Sequence, residues 1–180
     1  MTNDTLRVIK ARRSCRAFKP GPIPRETLEA IVDAGIWAPT GMNNQDVHFT
    51  VLQNPEHIKR LSDGIRPALP DAVKERMTSR NGGDPDFSLF YFAPALIVLS
   101  GGDTSCAIAA ENICLAAESL GIGSCMIGLF NFINQAPEGP ALLGELKLPE
   151  GSKTGLAIAL GTAAKDMPAP ERKPGRATWL

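Results

Sequence analysis

The sequence predicts an α+β domain with a small central sheet and a long C-terminal arm, and three features carry that prediction. The first is the stretch SCAIAAENICLAAESLG at 105–121, apolar around nearly its whole circumference, which in a folded protein reads as a helix covered on all sides. The second is a set of short apolar or β-branched runs, VHFTVL at 47–52, ALIVLS at 95–100 and TGLAIALG at 154–161, with the length and composition of strands. The third is the tail KDMPAPERKPGRATWL at 165–180, where Pro168, Pro170 and Pro174 favour an extended arm over a packed element. A chain of 180 residues supports one good hydrophobic core and not two full-sized domains, so residues 1–180 read as a single domain. With 43% hydrophobic and 21% charged residues, disordered, collagen-like and coiled-coil readings are excluded.

Taken along the chain, residues 4 to 13, DTLRVIKARR, place Leu6, Ile9 and Arg13 on one side behind an N-cap at Asn3 or Asp4, which predicts a short amphipathic helix ending near Ser14. Pro20, Pro22 and Pro24 forbid regular structure until PRETLEAIVDAGIWA, where Leu28, Ile31, Val32 and Ile36 recur at helical spacing behind a proline suited to a first turn. APTGMNNQD is rich in turn formers and leads into the first strand. Residues 55 to 80 read as weak helices broken at Gly64, Pro67 and Pro70, and NGGDPD at 81–86 as a loop. ALIVLS is the clearest buried strand. The core helix ends at Gly121 and Gly123, SCMIGLF continues as strand or turn, and TGLAIALG closes the sheet.

Lys and Arg balance Asp and Glu at 19 each, so nothing points to nucleic acid or an anionic membrane as a partner. No run approaches the roughly 18 apolar residues of a membrane span, and MTNDTLRVIKARRS lacks the apolar region of a secretory signal, so a cytoplasmic location is expected. Cys15, Cys106, Cys114 and Cys125 have no metal-ligand spacing; no metal site is expected, and in a reducing compartment they read as small buried hydrophobes. The distribution of charge is informative. Arg7, Lys10, Arg12, Arg13, Arg16 and Lys19 stand against Asp4 alone near the start, while Lys165, Arg172, Lys173 and Arg176 stand against Asp166 and Glu171 near the end. Between Asn81 and Leu146 there is no Lys or Arg. Two solvated basic tails, or two ends gathered around one anion, both fit.

Three stretches could carry chemistry. RRSCR at 12–16 concentrates three guanidinium groups and a hydroxyl, which match a phosphomonoester and equally describe a solvated basic helix end. APTGMNNQ puts Asn43, Asn44 and Gln45 on a glycine-containing loop, where their amides could meet the edge of a heterocycle or close turns of their own. GIGSCMIG is not a dinucleotide fingerprint, because its third glycine comes five residues after the second and it follows a helix; it allows close approach to a flat ligand or marks the exit from the core helix. No GxSxG or Walker A stretch occurs, and His48 and His57 have no catalytic partner in sequence.

In this order, RRSCRAF, the helix before APTGMNNQ, FAPALIVLSG, AAENICLAAESLGIGSCMIG and PAPERKP resemble the nitroreductase family of flavoproteins from Arg12 to Pro174. The resemblance implies a mostly antiparallel sheet flanked by helices, in a homodimer with composite active sites. It implies non-covalent FMN and ping-pong transfer of hydride from NADH or NADPH through flavin N5 to a nitroaromatic, quinone or related small acceptor, with no catalytic side chain. On the family pattern, Arg12, Arg13, Ser14 and Arg16 would hold the phosphate and ribityl chain, and Arg172 would complete the anion site. Asn43, Asn44 and Gln45 would approach the ring, and Met126, Ile127 and Gly128 would lie along it. The chain departs from the family at Asp46 and Val47, where a Pro-aromatic pair is usual, and at Gly161-Thr162-Ala163, where the tail usually begins Gly-Tyr-Pro. These departures bear on substrate size and preference and not on the phosphate site. The alternative readings are a specialised flavin enzyme of the same fold (an enone reductase, a reductive dehalogenase or a flavin-destroying oxygenase), set apart mainly by lid residues between Ile65 and Phe92, and a non-catalytic FMN-binding protein.

Overall fold

The computed structural model describes residues 2–180. The first helix, α1 (Asp4–Ala11), starts where Asn3 Oδ1 accepts from Leu6 N at 2.9 Å. It is shorter than its sequence pattern: Arg12 still donates to Val8 O, but turns to ψ 132° and leads out of the helix. The RRSCR stretch is therefore extended rather than a helix end. α2 (Arg25–Ile36) follows Pro24 and buries Leu28, Ile31 and Gly35.

Four strands, β1 (His48–Leu52), β2 (Ala95–Ser100), β3 (Gly123–Ile127) and β4 (Thr154–Gly161), form one sheet in the order β1-β2-β4-β3, every neighbour antiparallel. Alternation along the strands divides the core. Ile97, Leu99, Ile158 and Leu160 face α2 and α5 (Asp103–Ser119). Leu96, Val98, Ala157 and Ala159 face the other layer, built from α3 (Pro55–Ile65), a 3-10 helix at Gly128–Gln135 and α6 (Gly139–Glu145). α4 (Asp71–Arg80) completes the set and buries Met77.

Two expectations need correction. α3 is not broken at Gly64; it runs to Ile65, and the glycine is there because a Cβ would stand 2.7 Å from Leu142 Cδ1 of α6. The run after the core helix, open between strand and turn in the sequence, is a strand, β3, followed by the 3-10 helix. α5 is not covered on all sides: Cys106, Ala109, Ala110, Ile113, Cys114 and Ala117 are buried, while Thr104, Ala107 and Ile108 are exposed on the opposite stripe. No helix among the described residues is long and apolar enough to cross a membrane.

Candidate functional site

Once it leaves α1, the chain runs beside the sheet edge. Ser14 bridges Ser124 of β3 in parallel, Cys15 N donates to Ser124 O at 2.8 Å, and Phe18 bridges Ala163 just past β4. The strip is seated closely, for a Cβ on Gly123 would lie 2.9 Å from Cys15 Cβ. This partial strand added to β3 brings Ser14 and Arg16 to the edge that carries Met126, Ile127 and Gly128.

The three arginines have different surroundings. Arg13 is turned back on the helix end, its Nη1 donating to Lys10 O at 2.7 Å and Arg12 O at 2.8 Å, so it satisfies carbonyls that α1 leaves free. Arg12 is half-buried, with Nε 3.3 Å from Glu111 Oε1 of α5 but not directed at it. Arg16 is exposed and makes no ion pair among the described residues. Arg12 Nε and Arg13 Nε are both buried without a hydrogen-bond partner. Burial pushes the Cys125 thiol up in pKa, and the positive charges of Arg16 and Arg12 oppose it, so both guanidinium groups bear on the β3 edge. A donor set of this kind, two forks and a hydroxyl with unsatisfied buried N–H groups, fits a phosphate.

Met126 is exposed on β3 and Ile127 is buried beneath, while a Cβ on Gly128 would meet nothing within 4 Å. The strand therefore ends without close neighbours at Gly128. The amide loop lies elsewhere. Asn43, Asn44 and Gln45 are all exposed, and Met42, Asn43 and Gln45 sit at φ 52°, 55° and 51°, a left-handed conformation that is unusual for Met and Gln. Gln45 N donates to Thr40 Oγ1 at 2.9 Å. The loop is tied down behind Gln45, where Gly101 (φ 140°) packs its Cα against Asp46 O and the Asp46 carboxylate lies over Gly102, which precedes α5. Asp46, at the position of a family proline, thus anchors the loop to the start of α5.

This loop precedes β1, and β1 and β3 are opposite edges of the sheet. Three strand spacings, about 14 Å, separate them, so one chain does not bring the amides to the basic strip. Arg172 lies in the arm at 165–180, exposed except for half-buried Met167, and makes no ion pair or hydrogen bond among the described residues. No cluster of His, Cys, Asp and Glu able to hold a metal occurs among them either. His48 stands exposed in β1, and His57 Nε2 meets Glu145 Oε2 of α6 at 3.0 Å. Sequence reasoning missed Glu111. Its signal was a carboxylate in the middle of a largely apolar helix, away from Asp103 and Glu118 near the two ends.

The model of the Nitroreductase family matches residues 9–162 of the chain. A nitroreductase with bound FMN from Bacteroides fragilis superposes with a TM-score of 0.89 at 35% identity, covering 99% of this chain and 100% of that one. A second, from Desulfitobacterium hafniense and also with bound FMN, gives a TM-score of 0.90 at 31% identity over 100% of both chains. In sequence, the NADPH-flavin oxidoreductase of Vibrio harveyi is 30% identical over 182 residues, covering 96% of this chain and 70% of that protein.

Proposed function

The chain belongs to the nitroreductase family, and on that premise we propose that it is an FMN-dependent NAD(P)H oxidoreductase acting on nitroaromatic, quinone or related small electron acceptors. It would work as one flavin-binding domain over residues 1–180, in a cytoplasmic homodimer. The observation that carries the reading is the basic strip Arg12–Arg16 laid along β3, with two buried Nε atoms that have no partner. Bound FMN would supply the hydride chemistry, taking hydride from NADH or NADPH and passing it to the acceptor. Ser14 and Arg16 would hold the phosphate directly, and Arg12 would present its terminal nitrogens to it. Arg13, anchored on carbonyls, contributes charge at short range. Met126, Ile127 and Gly128 would lie along the ring, and Gly128 leaves room for it. No nucleophile or acid is asked of the chain; its residues position and exclude water.

The dimer is supported by what one chain leaves unfinished. The amide loop and the basic strip stand at opposite sheet edges, so a second copy would bring Asn43, Asn44 and Gln45 to the flavin held by the first. Apolar surface lies bare in suitable places: Trp37 beside the amide loop is 79% exposed, Ile108 on α5 is exposed, and Trp179 in the arm is 93% exposed. A groove of about 730 Å³ between α2 and β1, whose floor of Leu28, Val32, Ile36 and Val51 is flanked by Arg25, Glu29, Asp33 and Gln53, lies near it. Arg172 would reach a flavin phosphate only if the arm folds onto a neighbouring surface.

The test is to identify the flavin released from purified protein on denaturation and to follow its visible band under anaerobic NADPH. FMN that bleaches with NADPH is expected. A dominant FAD peak would remove the single-phosphate assignment, and FMN that stays oxidised with both NADPH and NADH would leave a binding protein without turnover.

A further inference from the structure

We propose that Glu111 is a positioning residue, which holds the Arg12 guanidinium so that its terminal nitrogens face the flavin phosphate; this rests on the phosphate reading above. α5 offers a rigid platform for the purpose. Asn112 Nδ2 donates to Ala34 O of α2 at 3.0 Å, and Ala110, Ile113 and Cys114 are buried, so the rotation of the helix is fixed. Glu111 is thereby set on the stripe facing away from the sheet, next to Ile108 and within ion-pair distance of Arg12.

The pairing is one of charge at the Nε edge of the guanidinium, without a directed hydrogen bond. Glu111 Oε1 approaches Nε at 3.3 Å, and Arg12 makes no other ion pair among the described residues. A planar fork drawn by a carboxylate on its Nε side leaves its two terminal nitrogens free as a parallel pair for an oxyanion, the geometry in which an arginine binds phosphate best. Arg12 lies just beyond a short helix, on extended backbone, and Glu111 is the one carboxylate that its side chain pairs with among the described residues. Without the carboxylate, the entropy lost in ordering that side chain would weaken flavin binding. Glu111 also brings a negative charge toward a phosphate. Its carboxylate is partly exposed and screened by water, and it acts through an intervening cation, so preorganisation outweighs repulsion.

The discriminating measurement is the affinity of apo-protein for FMN and for riboflavin, which differ only by the phosphate. Glu111→Ala is expected to weaken FMN about three- to tenfold, roughly the range of a modest charge-assisted contact, and to leave riboflavin unchanged. Glu111→Gln, which keeps the shape and removes the charge, should lose about as much as Glu111→Ala. In an Arg12→Ala background, Glu111→Ala should cost nothing further. Equal losses for FMN and riboflavin would make Glu111 a merely structural residue, and the proposal fails. It fails as well if Glu111→Ala binds FMN as tightly as wild type or more tightly, or if the loss persists without Arg12. If wild-type protein binds riboflavin as well as FMN, and Arg16→Ala changes neither, the phosphate reading itself is lost and this proposal with it.

Discussion

Arg12, Arg13 and Arg16 look equivalent in the sequence and are not equivalent in the fold. Arg13 directs its donors to the last carbonyls of α1, Arg12 leans on Glu111, and Arg16 stands exposed beside β3. Arg16→Ala should therefore weaken FMN by about 1.5 to 3 kcal/mol, on the order of ten- to a hundredfold, the cost of one charge-assisted bond to a phosphate. Arg13→Ala should instead lower the thermal midpoint of the apo-protein, with a smaller change in FMN affinity. Titration and melting curves on the two variants separate the roles; equal FMN losses would contradict the assignment. The residue types of the strip were legible because guanidinium chemistry is local. Their division of labour was not, because it depends on where α1 ends and on a carboxylate about a hundred positions away.

Cysteine burial was also legible, and its chemical consequence is now specific. Burial pushes the thiols of Cys106 and Cys114 up to about 11 and raises that of Cys125 as well. These thiols stay protonated at neutral and mildly alkaline pH. A thiol-disulfide reagent at pH 8 should label native protein only slowly and denatured protein at all four cysteines; rapid stoichiometric labelling of the folded protein would show these side chains to be accessible.

Among the elements, α6 is the one that the sequence concealed. GPALLGE is short, begins with Gly-Pro and carries too few apolar residues to establish a period, so no pattern could announce it. Its place is fixed by partners on α3: Leu142 packs where Gly64 leaves room, and Glu145 meets Arg60 Nε at 2.8 Å and His57 Nε2 at 3.0 Å. The hydrogen bond from Arg60, with a smaller contribution from His57, lowers the Glu145 pKa. A carboxylate held lower in the folded state contributes stability that is present above its unfolded pKa, near 4.3, and is lost as pH falls through the folded value. Glu145→Gln should thus lower the thermal midpoint at pH 7, with the deficit shrinking as both proteins are taken below about pH 4. A deficit that does not depend on pH would assign the effect to packing alone.

At the scale of the whole molecule, the sheet and its helices follow from hydrophobic periodicity, which is why the α+β architecture was readable. The apolar circumference of α5 called for cover on every side, more than one chain of 180 residues supplies, and a stripe of the helix is exposed, because an apolar composition tells how much surface needs cover and not whether the same chain provides it. The two halves of the candidate site were each visible in the sequence for the same reason that single motifs are. Their separation across the sheet was not, since strand order decides it and strand order is a long-range property.

That separation makes a shared site testable without a structure of the assembly. If each flavin is held by the Arg12–Arg16 strip of one subunit and met by the Asn43–Gln45 loop of the other, an Arg16→Ala chain and an Asn44→Ala chain damage different halves of every site. Each parental homodimer carries one defect in both of its sites. In the mixed dimer the strip of the Arg16→Ala chain meets the loop of the Asn44→Ala chain, so both defects fall into one site and the other is wild type. Mixing two inactive parents under exchange should restore up to half of the wild-type activity per heterodimer, with FMN content recovering in step. Removing residues 165–180, the arm with Arg172 and Trp179, should lower both the dimer fraction and FMN retention, because a partner surface and an anion ligand are lost together. Sites complete within one chain would give no recovery on mixing, however freely the subunits exchange, and a monomeric mass for active wild-type protein would independently exclude a shared site.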